Sequence, residues 1–144
     1  MSVVVHKDRL PVDTGYEPGL RIEFGVVENT TGSKSILLGH TIFPPGNKNQ
    51  WHVHNNCEAA QYIIRGRLRC KWLEHGKVVS DVLGPGDFIY ILRGEPHTQE
   101  NASDTDEAEL VFTYAGANSV ESAGTVFVTH HEGEEPRPYA PRTE

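Results

Sequence analysis

The sequence predicts an all-β fold, an antiparallel sandwich or barrel, on three observations. Short apolar runs rich in β-branched and aromatic residues recur along the chain, each of strand length. Clusters of glycine, proline and asparagine separate them and supply the backbone angles that turns require. Helical periodicity is confined to one short stretch, so sheets must bury each other.

Taken in order, the chain opens with "MSVVVHKDRL", whose apolar run is too short for an anchor and has no basic region ahead of it; neither a signal peptide nor a membrane span is expected. "LRIEFGVV" and "SILLGHTIF" read as strands, with the polar turn "ENTTGSK" between them. "AAQYIIRG", "RLRCKWL", "DFIYIL", "ELVFTYA" and "GTVFVTH" are the further predicted strands. "PPGNKN", "EHGK", "LGPGD" and "RGEP" are predicted turns, and Asp87 belongs to the turn chemistry after Gly86. "NSVESAG" is the one helix-like segment, a single turn with Ser119 as N-cap and Gly124 as its stop. From Gly133 the chain is proline-rich and charged, with little to bury. The 144 residues fit one domain spanning 1–144, with a barrel core at about 20–130, an N-terminal arm at 1–19 and a C-terminal tail at 131–144.

The net charge of -7 opposes binding to a phosphate backbone or an anionic membrane surface, so neither nucleic acid nor membrane is an expected partner. Cys57 and Cys70 fit no zinc or redox spacing and read as free thiols of a cytoplasmic protein.

The chemistry concentrates in "GNKNQWHVHNNCEAAQYIIRG". On a strand, His52 and His54 project to one face with Cα atoms about 6 to 7 Å apart, so both imidazoles can reach one ion at about 2.0 to 2.2 Å. Such a pair also occurs on exposed polar strands. The second stretch, "GDFIYILRGEPHTQEN", changes the reading. Gly46, His52, His54 and Gly66 in the first block, and Gly86, Gly94, His97 and Asn101 in the second, resemble the two motifs of the cupin family, with Leu92 where proline is usual and a proline displaced to Pro96. The resemblance covers about residues 20–130. It implies a double-stranded β-helix, the jelly-roll barrel, holding a divalent metal on His52, His54 and His97.

One departure bears on the metal. Counted back from Gly66, the family's carboxylate ligand falls at Ala59, and Glu58 stands one place earlier. A one-residue shift moves a strand side chain to the opposite face. A regular strand turns Ala59, Gln61 and Ile63 inward and Glu58, Ala60 and Tyr62 outward; a bulge at residues 55–57 would instead return Glu58 to the metal set. Both arrangements remain open from sequence. In the first, Gln61 is the polar neighbour able to orient water or substrate.

Three neutral ligands leave a divalent ion its full charge, which attracts a small anionic chelator into a site walled by groups such as Phe43, Trp51, Tyr90 and Ile91. Imidazoles suit several metals, so ligand type alone leaves Ni(II), Mn(II) and Zn(II) open; Fe(II) is favoured because open positions on nitrogen ligands are what its oxygen chemistry needs. The resemblance implies a three-histidine Fe(II) dioxygenase acting on a chelating acid, phenol or diketone. A Lewis-acid lyase, decarboxylase or isomerase is the alternative, needing a proton donor or base from among His40, Tyr62, Glu58 and Gln61. His40 lines the pocket if it faces inward with Ile42. A non-catalytic ligand-binding barrel is the third possibility. His6, His75, His130 and His131 receive no role, and Asn101 is expected to fix a loop. The apolar "SVVVH" is expected to cover a sheet edge of a second subunit, giving a homodimer.

Overall fold

The computed structural model describes residues 1–13, 19–128 and 137–138. Its strands are β1 (Val12–Asp13), β2 (Arg21–Val26), β3 (Ile36–Phe43), β4 (His52–His54), β5 (Glu58–Arg65), β6 (Leu68–Glu74), β7 (Lys77–Leu83), β8 (Phe88–Ile91), β9 (His97–Asn101), β10 (Ala108–Ala115), β11 (Thr125–Phe127) and β12 (Arg137–Pro138). They form two six-stranded antiparallel sheets, ordered β1-β2-β3-β10-β5-β8 and β12-β11-β4-β9-β6-β7. From β3 to β6, and again from β7 to β11, each successive strand changes sheet. This alternation makes the jelly roll and brings residues distant in sequence onto facing surfaces.

The segment "KVVSDVL", without a place among the expected strands, forms β7 and closes a hairpin with β6. Its turn is made by His75 and Gly76, both at positive φ (50° and 77°), the geometry whose twist matches a two-residue hairpin. "ENTTGSK" contains a short helix, α1 (Glu28–Thr31), that ends at left-handed Gly32. The "NSVESAG" segment is a hydrogen-bonded turn: Ser119 Oγ accepts from the Ser122 amide at 3.0 Å, and Gly124 lies at φ +66°. Most of the expected C-terminal tail, with His130 and His131, lies outside the described residues.

The core sits between the sheets. Leu37, Phe43, Ile63, Leu68 and Leu110 are each at most 1% exposed. On β3 the buried positions are Leu37, Gly39, Thr41 and Phe43, the alternation of a half-buried strand. Gly66, where the chain leaves β5 for the other sheet, has φ +78°, and a Cβ there would come within 2.4 Å of the Glu107 carbonyl oxygen. Only glycine meets both requirements.

Candidate functional site

His52 and His54 lie on β4 with Val53 between them, and His52 is the cross-strand partner of His97 on β9. That pair brings the histidines of the two sequence blocks together. The three rings are buried, and their ligand nitrogens lie within 4.8 Å of one another, close enough to hold a metal ion. Ring centroids are 4.2 Å apart for His52 and His97, 4.9 Å for His52 and His54, and 5.2 Å for His54 and His97.

The donor set fits a divalent cation. His52 Nδ1 lies 2.5 Å from the Gln50 carbonyl oxygen and His97 Nδ1 lies 2.8 Å from that of Glu95. A carbonyl only accepts, so Nδ1 carries the proton in both and Nε2 carries the lone pair. His54 Nδ1 is held by Thr125 Oγ1 at 2.9 Å. Such partners fix ring orientation and raise ligand basicity. Burial, followed by mutual repulsion, keeps the rings neutral: His52 is held well below its ordinary range by burial and by its two neighbours, and His54 is lowered to about 3 by burial and His97. His97 is lowered to about 4 by burial, against the Glu95 carbonyl bond. Three crowded, uncharged nitrogen donors are the preferred environment of a borderline metal ion.

Around them is a cavity of about 50 Å³ whose walls include Phe43, Ala59, Gln61, Ile91, Phe112 and Tyr114. The expected lining by Phe43 and Ile91 is therefore met, whereas Trp51 and Tyr90 stand away from this cavity. Gln61 faces it, with its amide paired to Gln99: Gln99 Nε2 donates to Gln61 Oε1 at 2.5 Å and Gln61 Nε2 donates to Gln99 Oε1 at 3.2 Å.

Glu58 is outside the site. Residues 58–63 pair regularly with β10, and the register irregularity in β5 comes later, opposite Glu109 and Leu110. Residues 55–57 are the bend that carries the chain between sheets, with Cys57 buried, so Ala59, Gln61 and Ile63 keep the inward parity. The Glu58 carboxylate is exposed and accepts from the Tyr90 hydroxyl at 2.6 Å. His40 also differs from the inward orientation considered for it. Thr41 and Phe43 occupy the inner face of β3, which leaves His40 on the outer one, where Nε2 meets Glu109 Oε1 at 2.5 Å and Nδ1 lies 3.6 Å from Glu23. Tyr62 is likewise outward, packed at a tilt against Phe88 with centroids 4.8 Å apart. Asn101 is buried and holds loops: its Nδ2 donates to the carbonyls of Phe43, Pro44 and Asp106.

Thr125 and Tyr114 were absent from the sequence-based site. Tyr114 packs on His54 at 4.7 Å. The inward parity of "ELVFTYA" was the available signal for Tyr114; Thr125 had none, because its neighbour His54 is 71 positions away.

The cupin-domain family profile matches residues 39–114. No curated protein sequence matches the chain. Among solved structures, an oxalate oxidase superposes with a TM-score of 0.67 at 25% identity, covering 81% of this chain and 58% of that one. A Bacillus subtilis oxalate decarboxylase, studied for its Mn(II) centres, gives 0.71 at 20% identity over 83% of this chain and 31% of that one. Peruvianin-I, a cysteine peptidase from Thevetia peruviana latex, gives 0.70 at 15% identity over 88% and 77%. The chain thus spans about 58% of the oxalate oxidase length, and the lower-identity likenesses show the fold alone. With the profile covering more than half of its residues and the jelly roll formed, this chain belongs to the cupin family.

Proposed function

We propose that the protein is a metal-dependent enzyme, a non-haem Fe(II) dioxygenase of the three-histidine kind, with His52, His54 and His97 as ligands and a small chelating acid, phenol or diketone as substrate. The observation that carries this reading is the convergence of three neutral, buried imidazoles beside Ala59, with Glu58 turned outward. A bound divalent ion would supply Lewis acidity and, as Fe(II), the electron chemistry. The protein's part is positional. Thr125 and the Gln50 and Glu95 carbonyls aim the rings. Phe43, Ile91, Leu110 and Phe112 dry the cavity, which strengthens attraction for an anion. Gln61 presents an amide to orient substrate or water. The oxalate oxidase likeness supports a small anionic substrate, and the Mn(II) centres of the decarboxylase keep Mn(II) beside Ni(II) and Zn(II) as alternatives to iron.

Elemental analysis of protein purified without chelator, followed by oxygen-electrode assays of the Fe(II) form against diketones, catechols and hydroxy acids, tests the reading. Stoichiometric metal and substrate-dependent oxygen uptake are expected. Turnover that persists without oxygen would move the assignment to a Lewis-acid lyase, decarboxylase or isomerase. Tyr114 favours that second reading, being a proton donor beside His54 where His40, Tyr62 and Glu58 are turned away. Ligand binding without turnover would leave a non-catalytic barrel. We further place the protein in the cytoplasm as a homodimer. No helix among the described residues is long and apolar enough to cross a membrane. Exposed Val3 and Val4 in the arm, and Phe88 and Tyr90 on edge strand β8, support the dimer. Elution as a 16.0 kDa monomer on gel filtration would count against it.

A further inference from the structure

A second cavity of about 290 Å³ opens between β6, β8 and β9. Its volume is near the lower end of the range for small-molecule pockets, whereas the histidine cavity of about 50 Å³ has room for a few waters or a chelating head group. Ile91, His97 and Gln99 line both, so the two spaces are neighbours separated by these side chains. Trp72, Ile89 and Leu92 give the larger one apolar walls. The Trp72 indole is fixed by its Nε1–H, which donates to Glu74 Oε1 at 2.9 Å.

Charge at this cleft selects further. Glu74 and Glu95 both line it. The one cation among its lining residues, Lys71, is engaged by Glu100 at 3.3 Å. A second carboxylate placed here would be repelled, whereas a neutral ring would be desolvated against Trp72 and Ile89. Between the spaces the Gln61–Gln99 amides are bonded to each other, and Gln99 Nε2 also reaches Cys70 Sγ at 3.1 Å. Amides paired in this way can turn their N–H groups from one another toward a ligand's oxygens, which accept in place of the partner's Oε1.

We propose that this cleft receives a neutral, apolar and preferably aromatic body of the substrate, whose chelating head passes the Gln61–Gln99 pair to reach the three histidines. The proposal rests on the histidines being a metal site and narrows the substrate class to chelators larger than a bare two-carbon diacid.

Isothermal titration calorimetry with Zn(II)-loaded protein compares 1-phenyl-1,3-butanedione, 2,4-pentanedione and oxalate. The phenyl diketone is expected to bind about tenfold or more tightly than the other two. Ile89→Trp, which fills the cleft, should abolish that preference and leave 2,4-pentanedione affinity and zinc content unchanged; Leu92→Trp at the exposed mouth replaces it if the first variant does not fold. Equal affinities for the two diketones, or a preference that survives filling, would overturn the proposal. Should the protein hold no zinc, the metal reading fails by itself, and titration of metal-free protein decides the cleft: binding of the phenyl diketone suppressed by Ile89→Trp supports it, and absence of binding overturns it.

Discussion

At the scale of single residues, the imidazole tautomers depend on groups that contribute no charge. Thr125→Val removes the hydroxyl facing His54 Nδ1 while keeping the side chain's shape. Outer-shell losses of this kind weaken metal binding about 10- to 100-fold, so competition against a chromogenic chelator should show such a drop. Ala59 is the position for the reciprocal test, since it faces the histidines and is 4% exposed. Ala59→Glu should retain Mn(II) more tightly than wild type in the same competition, because an anionic oxygen suits that ion. Without metal, the variant should be less stable by roughly 1–3 kcal/mol, the cost of an uncompensated buried polar group. No gain in metal retention would place the 59 side chain elsewhere.

At the scale of elements, the site depends on parity and on loop anchors. The inward set Ala59, Gln61 and Ile63 followed from alternation because β5 is regular through that span. Asn101 fixes the loop after β3 and the loop before β10 through its three carbonyl acceptors, and its Oδ1 accepts from the Ser103 amide at 2.9 Å. Asn101→Ala leaves several buried carbonyls short of a donor, and urea unfolding should report a loss of about 2–4 kcal/mol. The cysteines serve packing in the same way. Cys57 and Cys70 are buried, and burial pushes each thiol up to about 11. Ellman's reagent at pH 8 should therefore leave both unmodified until denaturant is added; rapid reaction of the folded protein would contradict their placement.

At the scale of the whole molecule, burying uncharged imidazoles makes folding sensitive to acid. Both His54 and His97 have folded-state values, about 3 and about 4, below the ordinary value of about 6.5. Between these limits the unfolded chain binds protons that the folded one does not, so stability rises with pH. Metal-free protein should accordingly be most stable above about pH 6.5 and lose about 1.4 kcal/mol per pH unit for each imidazole as pH falls toward 4. Urea melts of chelator-treated protein between pH 4 and 8 measure this slope, and a flat profile would contradict burial of the neutral rings. The slope should diminish in His97→Ala, which replaces one of the titrating groups.

The sequence by itself determined the all-β class, most of the strands and the placing of His52 with His54 on one face; it left Glu58 open, and the regular pairing of β5 from residue 58 turned that side chain outward. Alternation and turn chemistry are local, and they can be read wherever a strand runs without interruption. Short β4 and β9 were legible only through their histidines and spacing, and β7 was missed although Val78, Val79, Val82 and Leu83 belong to it, because its apolar residues do not alternate cleanly and only Leu83 is buried. Tertiary structure alone decided which face of β3 turned inward, and with it the removal of His40 from the pocket. It also brought Thr125, Tyr114 and Gln99 to the histidines, because strands that alternate between sheets make neighbours of residues that no local pattern connects.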